Sequence, residues 1–157
     1  RRIRGQTDYS QRLKLLKSKL TRVVVRRTNK NMVVQFVDYA QQGDKILTSA
    51  RSVDLTGLGF TLNTSNIVAA YLTGLLAGKR ALKAGFKGEC IADLGLQKVL
   101  YGNKIFAALK GVQDAGVNIK IKDVVFPSEE RLAGQHLKAK DAAKVIDKTK
   151  KSIEGLK

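Results

Sequence analysis

Alternating apolar and polar positions predict three strands in the first third of the chain. Two β-branched runs, residues 23–25 and 32–37, flank a polar segment at residues 28–31, and this order predicts a β-hairpin. Residues 46–52 follow a Gln-Gly-Asp turn signal and predict a third, antiparallel strand. Because helical patterns come after these strands, the chain is predicted to form a mixed α/β fold instead of a helical bundle.

Two longer segments with a helical period follow the predicted strands. The first extends from residue 64 to residue 83, with N-cap candidates at Asn63, Thr64 and Ser65. Its apolar stripe is Ile67, Tyr71, Leu75 and Leu82, with Val68, Leu72 and Leu76 beside it. An adjacent line of small residues, Ala70, Gly74, Gly78 and Ala81, permits close backbone packing. The second extends from residue 103 to residue 115 and stops before Gly116. Short apolar runs at 90–92 and 117–121 predict further strands. The predicted fold is a two-layer α/β sandwich, in which helices pack on a mixed, mainly antiparallel sheet.

Both ends of the chain also carry a helical pattern. Leu13, Leu16 and Leu20 have helical spacing after the cap signal at residues 7–8, whereas residues 1–6 lack such a pattern and are predicted to be extended. Near the other end, lysines lie opposite an apolar stripe of Ala142, Val145, Ile146, Ile153 and Leu156. We therefore divide the chain into a basic N-terminal arm (1–21), an α/β core domain (22–126) and a C-terminal helical extension (127–157).

Positive charge is concentrated at the start of the chain. The 157 residues contain 30 Lys and Arg against 13 Asp and Glu, which gives a formal charge of +17. Eleven of these bases lie in residues 1–30, where Asp8 is the one acid. Solubility alone requires far less charge, so the cluster predicts a polyanionic partner, either nucleic acid or an anionic membrane surface.

Side chains suited to catalysis are scarce. His136 is the single histidine, and it lies in a Lys-rich stretch without an obvious acidic partner. Cys90 has apolar neighbours, where a free cysteine is usually inert, and one cysteine suits a reducing compartment such as the cytoplasm. We find no spacing typical of a metal site, a catalytic carboxylate pair or a nucleophile. The sequence therefore predicts no enzymatic activity, no cofactor, no metal and no small-molecule substrate.

The hairpin and the arm together predict an RNA-binding surface. Amides and hydroxyls at the hairpin tip can contact base edges and 2′-hydroxyls, whereas basic residues contact phosphates; the alternative for the tip is a solvated turn. Tyr9 is the one aromatic residue of the basic region, which favours structured RNA over a stacked single strand. The candidate RNA-binding residues are Arg1, Arg2, Arg4, Tyr9, Arg12, Lys14, Lys17, Arg22, Arg26, Arg27, Thr28, Asn29, Lys30 and Asn31.

Six segments resemble one known family. They are Thr-Asp-Tyr at 7–9, Arg-Leu-Lys-Leu-Leu-Lys-Ser at 12–18, Arg-Val-Val-Val-Arg-Arg-Thr-Asn-Lys-Asn at 22–31, and the stretches at 70–78, 102–107 and 127–136. In this order they resemble the archaeal and eukaryotic large-subunit ribosomal proteins that bind 5S ribosomal RNA, the universal large-subunit protein eighteen family. Asn31 departs from the pattern, since many relatives have histidine there, so hydrogen bonding is retained but stacking is lost.

The resemblance implies a structural protein of the large ribosomal subunit in the cytoplasm. Such a protein would bind 5S rRNA, attach it to the large-subunit rRNA in the central protuberance and contact neighbouring ribosomal proteins, without membrane contact. The alternative is a peripheral protein that binds anionic membranes through the arm and the Lys-rich C-terminal helix. That alternative requires bulky apolar anchors opposite the lysines, and the helix has no Trp or Phe there.

Overall fold

A computed structural model describes residues 5, 7–137 and 142–155. In chain order the helices and strands are α1 (Tyr9–Lys17), β1 (Thr21–Arg27), β2 (Met32–Asp38), β3 (Lys45–Arg51), α2 (Ile67–Lys83), β4 (Glu89–Asp93), α3 (Lys104–Asp114), β5 (Asn118–Ile119), α4 (Glu129–Leu132) and α5 (Ala142–Glu154). Two 3₁₀ segments, Ser52–Leu58 and Asp123–Val125, connect them. The predicted α/β class is confirmed, whereas the prediction for residues 1–4 and 6 lies outside the described residues.

The sheet has five strands in the order β3-β2-β1-β4-β5. The predicted hairpin is confirmed, since β1 pairs antiparallel with β2 and β2 antiparallel with β3. β4 then pairs parallel with β1, and β5 parallel with β4, which makes the sheet mixed. The prediction for residues 117–121 was too long: β5 has two residues, because the Ile121 amide turns back to bond the Ile119 carbonyl.

Alternation along β1 and β2 gives the sheet one apolar face. Val23, Val25, Val34 and Phe36 are fully buried on that face, against which the helices pack. α2 packs against β2 and β3 of the sheet, against α3 and against α5, so thirteen of its seventeen residues are buried. The predicted apolar positions are buried with one exception: Leu82 was predicted on the stripe and is 36% exposed, so that part of the prediction was wrong. A helix with neighbours on several sides is apolar around most of its circumference.

The predicted start of α2 was also wrong. Its N-cap is Asn66, whose side-chain oxygen accepts a hydrogen bond from the Ala69 amide at 2.6 Å. Asn63 instead accepts from the Ser65 amide at 2.9 Å and shapes the preceding turn. Several adjacent residues with capping side chains offered the same local chemistry, and the tertiary path of the chain selected the last of them.

The terminal helices α1 and α5 lie on opposite sides of the sheet. α1 begins at the predicted cap, since Asp8 accepts from the Gln11 amide at 3.0 Å. Of its predicted stripe, Leu16 and Leu20 are half-buried, but the prediction for Leu13 was wrong: Leu13 is 56% exposed, and Leu15 is half-buried instead. α5 was predicted correctly in position, and its buried Ile146 and Ile153 join the main core. Leu156 lies outside the described residues.

Two glycines allow α2 and α3 to approach closely. A β-carbon at Gly74 would overlap the carbonyl oxygen of Ala108, and one at Gly111 would overlap that of Tyr71. The backbones of α2 and α3 are therefore in direct contact at this crossing. Backbone atoms cannot move aside as a flexible side chain can, so the crossing requires glycine at both positions.

Gly74→Ala is expected to destabilise the fold. The added methyl group forces the two helices apart, which should lower the free energy of unfolding by about 3 kcal/mol. Gly57→Ala is the matched control, because a β-carbon at Gly57 meets open space, and it should change stability by less than about 0.5 kcal/mol. Urea denaturation of both variants measures the difference, and equal effects would contradict the packing analysis.

Candidate nucleic-acid interface

Arg22 is the most deeply buried of the predicted RNA-binding residues. Its side chain is 2% exposed, on the sheet face opposite Val23. The Nη2 atom lies 2.7 Å from Asp44 Oδ2, and Nη1 lies 3.1 Å from Asp93 Oδ2. The structure thus encloses the Arg22 guanidinium between two carboxylates, while its predicted contact with RNA stays a prediction.

Two further predicted contacts, Arg12 and Arg26, extend this ion pair into a chain of five charges. Arg12 Nη2 lies 2.8 Å from Asp44 Oδ2, which ties α1 to the loop between β2 and β3. Arg26 Nη2 lies 3.2 Å from Asp93 Oδ1, and its Nη1 donates to the Asp93 carbonyl at 2.9 Å. We call Arg12, Asp44, Arg22, Asp93 and Arg26 the ion chain. Because three of its members are basic and two acidic, it retains little charge for a partner.

The ion chain changes the titration of Asp44. Partial burial by itself would raise the pKa of Asp44, but hydrogen bonds from Arg22 and Arg12, together with their positive charges, outweigh it and lower the pKa below 3.8. The carboxylate is therefore ionised under all ordinary conditions. Its charge contributes to folding only while it remains ionised.

Other predicted contacts are exposed cations. Lys14 and Lys17 lie on the outward side of α1, and Arg27 and Lys30 lie at the far end of the hairpin. Among the described residues, none of these four forms an ion pair with a carboxylate. Tyr9 is also exposed. Arg1, Arg2 and Arg4 were predicted alongside them and lie outside the described residues.

The tip of the hairpin is closed and tied to the core. The Thr28 amide donates to the Asn31 carbonyl at 2.8 Å, and the Asn31 amide donates to the Thr28 hydroxyl oxygen at 2.9 Å. The Thr64 hydroxyl donates to the Lys30 carbonyl at 3.0 Å, which joins the tip to the loop before α2. Asn29 remains exposed. The tip is therefore a hydrogen-bonded turn whose residues 27–30 are exposed to solvent.

The sequence analysis missed the part of the chain that borders this surface. Residues 94–97 line a cleft of about 380 Å³ together with α1 and Arg26. Gly95 approaches the Arg26 guanidinium so closely that a β-carbon there would lie 3.0 Å from Cζ. About seventy residues separate the two in sequence, and residues 94–97 carry no charge that would have indicated the contact.

Comparison with known proteins assigns the chain to a family. A family profile described as "Ribosomal large subunit proteins 60S L5, and 50S L18" matches residues 1–87. Large ribosomal subunit protein uL18 of Methanoregula boonei is 44% identical, over 98% of this chain and 91% of the relative. The chain belongs to this family. The uL18 proteins of Methanothermobacter thermautotrophicus and Korarchaeum cryptofilum are 44% and 45% identical, each over 87% of this chain and over 71% and 70% of the relative.

Membership of the uL18 family confirms the broad functional prediction. The protein is a structural constituent of the large ribosomal subunit, without enzymatic activity, and its partners are ribosomal RNA and other ribosomal proteins. Cys90 is consistent with this role, because burial raises the pKa of its thiol to about 12 and leaves it protonated. Through residues 5, 7–137 and 142–155, no helix is both long and apolar enough to span a membrane.

Loss of Asp93 is expected to destabilise the protein strongly. In Asp93→Ala the buried Arg22 loses one of its two carboxylates, which should lower the free energy of unfolding by about 3 kcal/mol. Glu89→Ala is the control, because it removes an exposed ion pair with Lys120 and should cost less than about 1 kcal/mol. Chemical denaturation at neutral pH measures both, and a small effect of Asp93→Ala would contradict the ion chain's role.

Asp44 should make stability depend on pH. A carboxyl whose pKa is lowered by folding stabilises the protein above its ordinary pKa of 3.8, and this contribution is lost as the pH falls through the folded-state value. The stability difference between the wild type and Asp44→Asn should therefore be full at pH 6 and shrink below about pH 4. Urea denaturation across this range measures it, and a pH-independent difference would refute the assignment.

Proposed function

We propose that this protein binds 5S rRNA through α1 and the hairpin tip and attaches it to the large-subunit rRNA in the central protuberance, where it contacts neighbouring ribosomal proteins. The proposal rests on the division of the basic side chains into those that pair with carboxylates and those that stand exposed. Arg12, Arg22 and Arg26 are occupied by carboxylates. Lys14, Lys17, Arg27 and Lys30 stand exposed on two elements that the ion chain holds to one sheet.

Exposed cations on a fixed frame suit the phosphates of folded RNA. Binding RNA releases condensed counterions when lysine and arginine neutralise phosphates, and this supplies affinity without sequence preference. The Arg12–Asp44 pair contacts α1 and the Thr64 hydroxyl bonds the tip, and each of these contacts reduces the ordering entropy that binding would cost. The two elements can therefore contact the phosphate backbone of an RNA that is already folded into a helix.

Polar groups near the cations supply a means of discrimination. The Asn29 amide and the Thr28 hydroxyl lie at the exposed end of the hairpin. In A-form RNA the wide minor groove displays 2′-hydroxyls and base edges, which amides and hydroxyls contact by hydrogen bonds. The Asn31 side chain is half-buried beside the Thr64 hydroxyl, at 3.4 Å, so we assign it to shaping the tip more than to reading the RNA.

Attachment to a second RNA requires a second basic surface. Lys148 and Lys151 are exposed on α5, which packs against α2 and the Ser52–Leu58 segment. α1 lies on the other face of the sheet. We therefore propose that the protein contacts 5S rRNA from the side of α1 and the hairpin, and the large-subunit rRNA from the side of α5.

The structure disfavours the membrane-binding alternative. An amphipathic helix binds a membrane by inserting its apolar face between the lipid headgroups. In α5 that face is already used, because Ile146 and Ile153 are buried in the core of the protein. Its lysines could attract an anionic surface, but no apolar face is left to anchor the helix there.

The proposal predicts an electrostatic loss when the cations of α1 are removed. Lys14→Ala with Lys17→Ala should weaken 5S rRNA binding and lower the slope of log affinity against log salt by about one unit for each phosphate that is no longer neutralised. Lys83→Ala with Lys87→Ala is the matched control, since these exposed lysines lie at the C-terminal end of α2, whereas the hairpin tip is bonded to Thr64 before its N-terminus. Filter binding across a salt series measures both double variants.

Three outcomes would overturn the proposal. The first is a wild-type protein that binds 5S rRNA no more tightly than an unrelated RNA hairpin of equal length. The second is an equal decrease of slope in the two double variants, which would show that charge acts without regard to position. The third is stronger binding to vesicles of anionic lipid than to 5S rRNA at the same salt concentration.

A further inference from the structure

The loop between β4 and α3, residues 94–103, displays an unusual number of apolar side chains. Leu96 and Val99 are each 60% exposed, Leu100 is 59% exposed and Tyr101 is 71% exposed. Single exposed apolar residues are common on protein surfaces, but four within six positions form a patch of the kind that marks a binding site. Neither the predicted RNA-binding residues nor the family profile includes this loop.

Hydrogen bonds hold the loop in a defined shape. The Gln97 amide donates to the Leu94 carbonyl at 3.3 Å, and the Gly102 amide donates to the Val125 carbonyl at 3.0 Å. Gly102 has a φ of +69°, a left-handed conformation that turns the chain directly after Tyr101. The exposure of the apolar side chains is thus a feature of an ordered loop.

The one charged side chain of the loop itself is a lysine. Residues 94–103 include Lys98 and no acidic residue. Lys98 lines a cleft together with Arg27 and Leu100, so the patch adjoins the exposed cations of the hairpin. The acid that precedes the loop, Asp93, is already paired with Arg22 and Arg26. A partner that combines an apolar surface with negative charge therefore matches this site.

We propose that the β4–α3 loop binds an unpaired nucleotide of ribosomal RNA, with its base stacked on Tyr101 and its phosphate near Lys98. A splayed-out nucleotide offers an aromatic face and an anionic group a short distance apart, and RNA-binding proteins commonly stack such bases on tyrosine. The apolar face of a protein partner would match the leucines and leave the cations unmatched. The inference rests on the proposed RNA-binding role. It extends the proposed RNA-binding surface from the hairpin to the β4–α3 loop.

Photo-cross-linking in the assembled particle tests the class of partner. Large subunits that contain the protein with p-benzoylphenylalanine in place of Tyr101 are irradiated, and the covalent adduct is identified. A cross-link to RNA, which maps to an unpaired nucleotide, is the expected result. A cross-link to another protein, or a yield no higher than without irradiation, would overturn the inference.

A pair of variants tests the stacking. Tyr101→Ala should weaken binding to the cross-linked RNA about five-fold or more, whereas Tyr101→Phe, which keeps the ring, should bind within about two-fold of the wild type. The salt slope should stay unchanged in Tyr101→Ala and fall by about one unit in Lys98→Ala. Equal effects of the alanine and phenylalanine variants would overturn the stacking.

These outcomes separate the inference from the proposed function. If isolated 5S rRNA is not bound but position 101 cross-links to an unpaired nucleotide of the large-subunit rRNA, the proposed 5S partner is wrong and the loop assignment stands. If 5S rRNA is bound and position 101 cross-links to a protein, the loop assignment is wrong and the proposed function stands.

Discussion

The burial of a single guanidinium, that of Arg22, constrains one whole face of this protein. A charge removed from water costs several kcal/mol unless opposite charges meet it with good geometry. Asp44 reaches it from the loop between β2 and β3, and Asp93 from the end of β4. The parallel pairing of β4 with β1 brings Asp93 to Arg22, and the path of the β2–β3 loop brings Asp44 to it. Both features therefore stabilise the same buried charge.

The same ion chain connects folding to RNA binding. Asp44 also binds Arg12, so the carboxylate that compensates Arg22 positions α1 on the sheet. Asp93 also binds Arg26, beside the cleft formed with α1. The acids are used to orient basic elements, while the outward lysines of α1 remain free for phosphates. In this +17 chain, Asp44 and Asp93 each lie between two arginines that would otherwise repel.

The opposite face depends on close packing. α2 is buried on most sides and meets α3 through glycine, which leaves the helices little freedom to shift. This rigidity extends to the hairpin, because Thr64, just before α2, bonds the tip. The β4–α3 loop likewise leads directly into α3, whose first turn is capped by Asn103. Both proposed RNA-binding elements of the core are thus attached to the same pair of helices.

Local patterns in the sequence determined much of the outcome. The hairpin and β3, the cap of α1 and the approximate extents of the helices follow from short-range periodicity and turn chemistry, and six sequence segments indicated the family. Only the tertiary structure decided which arginines are free, which face α1 turns inward and that residues 94–101 lie beside Arg27. Spacing in the sequence indicates only which residues are neighbours along the chain. Burial and ion pairing depend on residues that the fold brings together, such as Arg22 and Asp93, which lie about seventy positions apart.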